Sequence, residues 1–141
     1  MDKKTIGLIA GIAAVLIVIV VAAVIMTPTD NSTEVTIVNE TFHIPEGFNE
    51  TYSDNGTSYV YHVYKNGTNA TIAIQVDSPS YYLPADDSEV NKTVGGIPGI
   101  YKFYGENDPN FRNMYGFRYL HNGNYIKIHT SDEALLEQII R

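Results

Sequence analysis

MYGFRYLH (residues 114–121), NG (122–123) and NYIKIHT (124–130) decide the fold. Two alternating runs flank an Asn-Gly pair. That is the strongest short-range sign of a β-hairpin, because a type I′ turn needs positive φ at both central residues. Pairing His121 with Asn124 sets Phe117 opposite Ile128 and Tyr119 opposite Ile126, which makes that face the core. Arg118, Tyr125, Lys127 and His129 then fall on the other face, since side chains alternate along a strand. Directly beyond, Thr130-Ser131-Asp132-Glu133 has the S/T-x-x-E spacing of a capping box. It predicts a helix over roughly 131–140 with Thr130 as N-cap. Leu135, Leu136, Ile139 and Ile140 supply its apolar side, which is expected to cover a sheet face.

A second hairpin lies upstream. TSYVYHVYK (57–65) and TNATIAIQVD (68–77) are joined by Asn66-Gly67. Pairing Lys65 with Thr68 predicts that His62, Tyr64, Asn69, Thr71 and Ala73 point outward. Tyr59, Tyr61, Val63, Ile72, Ile74 and Val76 then point to the core. Val35–Ile37 and Thr41–Pro45 read as two short strands with a tight turn at Asn39-Glu40. Residues 78–99 are mixed, with a short helix expected near Asp86 and a turn-rich joint at Gly95-Gly96-Ile97-Pro98-Gly99. A strand resumes from Ile100 to Tyr104. The pattern predicts an antiparallel α+β domain built from hairpins, with a C-terminal helix packed on the sheet. Its 11 Tyr and 5 Phe suit such strands.

Residues Ile6 to Met26 form a separate signal: 21 apolar residues without a charge. An α-helix needs about 20 to cross a hydrocarbon core roughly 30 Å thick. Lys3 and Lys4 precede the run, whereas Asp30 and Glu34 follow it with no Lys or Arg. Basic flanks stay cytoplasmic. The expected organisation is a cytoplasmic stub at 1–5, a transmembrane helix at 6–26, a stalk at 27–34 and an extracytoplasmic domain at 35–141. The rival reading is a cleaved signal peptide, but the apolar core is longer than the usual ~7–15 residues and no A-x-A stands at its end. Gly7 and Gly11 form a G-x-x-x-G, a spacing that lets two membrane helices approach closely. Ala10 and Ala14 repeat it.

Asn-X-Ser/Thr occurs at Asn31, Asn39, Asn49, Asn55, Asn66, Asn69 and Asn91, seven times among 12 Asn. Chance placement gives about one or two. The triplet accepts N-glycans on an exported chain, so the excess agrees with the outward domain. Cysteine is absent, which excludes disulfides and cysteine-linked lipid and leaves folding to burial. Residues 27–141 carry 7 basic and 15 acidic side chains. That balance argues against nucleic-acid binding, which needs a basic surface.

The chain carries none of the common catalytic motifs. G-x-S-x-G, H-E-x-x-H and phosphate-loop patterns are missing. The four His are scattered, whereas a metal centre needs three or four convergent ligands. Asp77, Asp86, Asp87 and Glu89 lack calcium-loop spacing. Tyr81-Tyr82 could stack on a sugar, although such pairs are usually structural. No catalytic, cofactor or metal residue is expected.

Three segments together carry a resemblance: FHIPEGF (42–48), GGIPGIY (95–101), and YIKI (125–128) running on to Leu135-Leu136. They resemble small, single-span, uncharacterised surface proteins of methanogenic archaea. The resemblance covers most of residues 35–141 and implies a fold and a compartment, with no catalytic residues to carry over. The expected function is a non-enzymatic, single-pass, glycosylated module on the outer cell face, serving envelope structure, adhesion or partner binding. Its partners would be the bilayer through residues 6–26 and a membrane-protein or cell-wall component. The alternative is a ligand-binding accessory or sensor subunit. Remoter alternatives are a pilin-like subunit, although no acid stands within the apolar run, and an exported hydrolase.

Overall fold

Nine strands and one α-helix run through the computed structural model, which describes residues 31–141. In chain order they are β1 (Thr33–Ile37), β2 (Glu40–Ile44), β3 (Asn49–Asn55), β4 (Tyr59–Asn66), β5 (Ala70–Asp77), β6 (Val90–Val94), β7 (Ile97–Phe103), β8 (Tyr115–His121), β9 (Asn124–Thr130) and α1 (Glu133–Ile140). The span expected at 6–26, its Gly7 and Gly11, and the stub before it lie outside the described residues. Among the described residues no helix is long and apolar enough to cross a membrane. The expected stalk gives way to β1 at Thr33, and Ser32–Arg141 is one compact unit.

Strands β3 to β9 form one sheet in the order β3-β4-β5-β9-β8-β7-β6, antiparallel throughout. Two meanders, β3-β4-β5 and β6-β7-β8-β9, meet where β5 pairs β9. The β1–β2 hairpin is a separate two-stranded sheet. Its Ile37, Phe42 and Ile44, with Leu136, Ile139 and Ile140 of α1, pack on Tyr64, Ile72, Ile74, Val76, Phe117, Tyr119, Ile126 and Ile128. One face of the large sheet is therefore covered by hairpin and helix, the two-layer arrangement that buries an apolar sheet face.

The β8–β9 hairpin has the expected register, with His121 opposite Asn124 and Phe117 opposite Ile128. Asn122 and Gly123 take φ of 50° and 76°, as a type I′ turn requires. The β4–β5 hairpin differs. Asn66 pairs with Ala70 across a three-residue loop, Gly67-Thr68-Asn69, so Tyr64 faces Ile72 and His62 faces Ile74. The register is three residues from the expected one. An odd shift turns a strand over relative to its partner. Ile72, Ile74 and Val76 do face the core, but Tyr64 joins them, buried, while Tyr61 and Val63 lie on the opposite face. Both faces of β4 are aromatic or β-branched, so its own pattern does not choose a side. Ala73, expected outside, is also buried.

Two further expectations are corrected. Thr130 stays in β9, paired with Ile72 and Tyr115, and its Oγ1 donates to the Asp132 carbonyl at 2.8 Å. The N-cap of α1 is Asp132, whose carboxylate accepts from the Ala134 N–H at 3.0 Å. Glu133 turns away to Lys92. Near Asp86 there is no helix. The Asp86 carboxylate accepts from the Ser88 N–H at 2.7 Å and closes a local turn, the use to which Asp is suited beside Pro84. The only helical turn in that segment is 3₁₀, at Pro79–Tyr81. The turn of the first hairpin is Val38-Asn39, one residue earlier than expected, with Val38 at φ 61°.

Candidate functional site

The sheet face away from α1 carries Arg118, Lys127 and His129. On it, Arg118 of β8 sits directly opposite Lys127 of β9, which in turn sits opposite Gln75 of β5. Like charges across a strand pair repel, so each cation needs its own acid. Lys127 Nζ finds Asp77 Oδ2 at 2.8 Å, and Asp77 is itself buried and bonded by Gln75 Nε2 at 2.8 Å. Arg118 finds Glu89, from the long connection between β5 and β6. Its Nε donates to Oε2 at 2.7 Å and its Nη2 to Oε1 at 2.8 Å.

Arg118 also donates to the carbonyls of Leu83 at 2.6 Å and Pro84 at 3.2 Å, and to Tyr125 Oη at 3.1 Å. A planar fork with five donors is the side chain suited to such a task. One arginine thus pins residues 83–89 over the sheet. Tyr82 closes that side with an edge-to-face contact on Tyr125, 5.5 Å between centroids, although both Tyr81 and Tyr82 remain exposed. The Arg118 guanidinium holds the Glu89 carboxyl below its usual range, and Glu89 in turn pushes the Arg118 value up.

The connection from β7 to β8 covers the neighbouring part of the face. Asp108 accepts the N–H groups of Asn110 at 2.9 Å and Phe111 at 2.7 Å, which shapes the loop and lowers the Asp108 pKa. Phe111 is thereby laid flat on His129, centroids 3.7 Å apart and planes 6° apart. Tyr104 Oη lies 3.4 Å from His129 Nε2. Burial pushes the imidazole down to about 4, with Lys127 adding to the effect. Gly116 makes room for this packing: a Cβ there would stand 2.7 Å from Tyr104 Cε2.

Between the two loops remains a cleft of about 40 Å³ lined by Glu89, Lys102, Tyr104, Arg118, Lys127 and His129, among others. Two shallower clefts flank β6. One, of about 380 Å³, includes Tyr82 and Asn91, and the other, of about 480 Å³, runs between β6 and α1.

Comparison with protein-family models, with curated proteins and with solved structures finds no match.

The other histidines act singly. His62 bonds Glu50. His121 Nδ1 meets the buried Glu40 at 2.8 Å, where Glu40 also accepts from Asn124 Nδ2 at 3.1 Å. That cluster ties the β1–β2 hairpin to the β8–β9 turn. His43 lies in β2. Among the described residues no group of three or more His, Asp or Glu gathers as metal ligands, and Asp77, Asp86 and Glu89 each serve different partners.

All seven sequon asparagines, Asn31, Asn39, Asn49, Asn55, Asn66, Asn69 and Asn91, are exposed. Asn39 lies in the first turn, where its Oδ1 accepts from Asn124. Asn66 and Asn69 lie at the β4–β5 turn, Asn49 and Asn55 at the two ends of β3, and Asn91 in β6.

Sequence reasoning put Arg118, Lys127 and His129 on one face but missed their partners. A signal for the first two was present: once His121 pairs with Asn124, Arg118 and Lys127 must oppose each other, and two acids must come from elsewhere. Phe111 carried no such signal.

Proposed function

We propose that this chain is a membrane-anchored, N-glycosylated, non-enzymatic module of the outer cell face, held by residues 6–26 and serving envelope structure, adhesion or the binding of a membrane or cell-wall partner. The observation that carries it is the exposure of every one of the seven sequon asparagines. A buried amide cannot accept a glycan, and folding has left none of them buried. The charged groups of the outer face favour a structural role. Arg118, Lys127 and His129 are each engaged in holding a loop or balancing an acid. The test is the mass of the chain extracted from its native membranes. Glycan mass above the polypeptide, with detergent needed for release, is expected. An unmodified chain released by salt alone would overturn the reading.

A second reading, a ligand-binding accessory or sensor subunit, is favoured by the Tyr104–His129 cleft. Its small volume limits an enclosed ligand to a few heavy atoms. Protection of Tyr104 and His129 resonances by a component co-purified from solubilised membranes would raise it above the first.

A further inference from the structure

Among the described residues, the seven-stranded sheet ends in two open edges, β3 and β6. An unpaired edge strand is a template for another strand, and proteins protect such edges with lysine, proline, bulges or a covering element. Strand β3 runs for seven residues, about 20 Å, and is exposed almost throughout. It has neither Lys nor Pro, and one bulge between Glu50 and Tyr52. Beyond the bulge, Tyr52 to Asn55 present a regular ladder with a half-exposed Tyr52. Strand β6 is exposed at Val90, Asn91 and Thr93.

The sequons concentrate on these edges. Strand β3 carries Asn49 and Asn55, and β6 carries Asn91, while the five interior strands together carry one, at the last residue of β4. The two on β3 also project to opposite faces. Asn49 pairs with Lys65 and shares the face of Tyr61 and Val63; Asn55 pairs with Val60 and shares the face of His62 and Tyr64. Glycans on these two asparagines would stand above the sheet at one end of β3 and below it at the other, in the way of a strand approaching at about 4.8 Å.

The occupant kept out is a second copy of this chain. Strand β3 has acids, Glu50 and Asp54, and no base; β6 has one base, Lys92, which also meets Glu133 of α1, and no acid. Pairing β3 with β3 sets acid against acid. Pairing β3 of one copy with β6 of the next sets acid against base and repeats head to tail, which gives a ring where the rotation closes and an open fibre where it does not. We propose that glycans at Asn49, Asn55 and Asn91 block head-to-tail sheet extension between copies, so that modification of the two edges sets whether this protein stays single or polymerises. The proposal rests on the glycoprotein reading above.

The test uses the full-length chain made in a glycosylating host and purified in detergent. Three forms are compared: unaltered, N49Q/N55Q/N91Q, and the off-edge control N31Q/N39Q/N69Q, which loses as many sequons and keeps the same apolar run at 6–26. The edge variant is expected to at least double in mass by light scattering. Amide exchange in β3 and β6 should slow at least tenfold, while the control matches the unaltered chain. N49Q/N55Q alone should stay single, because Asn91 still guards β6. Thr51→Ala, Thr57→Ala and Thr93→Ala together remove the same sequons through other residues and should behave as the asparagine variants do. Equal mass for edge variant and control, on a chain shown to carry glycans, overturns this proposal alone. A native chain without glycans overturns it together with the glycoprotein reading.

Discussion

Arg118 holds both carboxylate oxygens of Glu89, with Nε to Oε2 at 2.7 Å and Nη2 to Oε1 at 2.8 Å, across 29 residues of sequence. Both side chains are mostly withdrawn from water, at 14% and 11% exposure. Breaking such a pair leaves an uncompensated charge, which costs more than the pair itself contributes. Arg118→Met should therefore destabilise the domain by about 3 kcal/mol. Arg118→Lys should recover little of it, because a point charge cannot reproduce the fork. Urea unfolding of the variants measures both. Proteolysis should open first within residues 83–89, the segment that Arg118 pins.

The same pair sets an acid limit. Glu89 is held below its ordinary value of 4.5. A depressed carboxyl stabilises the fold fully above the unfolded value and loses that contribution as pH falls through the folded one. Stability should drop below about pH 4.5 in the unaltered chain, and less steeply in Glu89→Gln, which has already lost the charge.

His129 acts in a higher window. Its folded value is about 4 against an ordinary 6.5, because burial under Phe111 and Tyr104 disfavours the charged ring. The folded state then binds fewer protons than the unfolded one. The sign follows: the contribution is whole above pH 6.5, declines as pH falls toward 4, and is flat below. The loss amounts to about 3 kcal/mol by pH 4. In His129→Leu the urea midpoint should stay level from pH 7 to pH 5. An unchanged slope in that variant would exclude His129 as its source.

How much of this was legible in the sequence varied with the kind of element. The β8–β9 hairpin could be read to the residue, because Asn122-Gly123 fixes the turn and each strand has one apolar face. Strand β4 could not be placed: Tyr59-Val-Tyr-His-Val-Tyr64 is apolar on both faces, so the three-residue loop decided what the pattern left open. Strands β3 and β6 went unread because edge strands bury little, and Asn49-Glu-Thr-Tyr-Ser-Asp-Asn55 shows no alternation. On the outer face, Arg118 and Lys127 were legible as neighbours. Glu89 and Phe111 reach the site on long loops, and local sequence does not encode where a loop lands.

The start of α1 separates two readings of one tetrapeptide. Asp132 accepts the Ala134 N–H, whereas Thr130 is fully buried and donates to the Asp132 carbonyl. Asp132→Ala should cost about 1 kcal/mol, the usual loss of an N-cap, and Asp132→Asn almost nothing. If Thr130 were the cap, Thr130→Ser would keep full stability. In the observed arrangement it removes a buried methyl and should cost about 1 kcal/mol with the hydroxyl bond intact. Thermal melts of the three variants distinguish the two.

Gly99 lies close against a core ring and a strand carbonyl. A Cβ at this position would stand 2.4 Å from Phe117 Cζ and 2.8 Å from the Arg118 carbonyl oxygen. Phe117 is 1% exposed and packed against Tyr119, so its ring has no free space to enter. The carbonyl belongs to β8, paired on both sides, and it cannot yield without breaking the sheet. Gly99→Ala should therefore cost about 3 kcal/mol, the upper end for overpacking, despite adding a single methyl. Gly96→Ala, two residues before β7 strand residue Pro98 and with open space around it, strains only its positive φ of 80°. It should cost about 1 kcal/mol. Because truncating the blocking ring relieves the clash, Phe117→Leu in the Gly99→Ala background should cost less than Phe117→Leu alone. A double-mutant cycle by urea unfolding reads that coupling, and additive losses would show that the backbone contact, not the ring, is what resists.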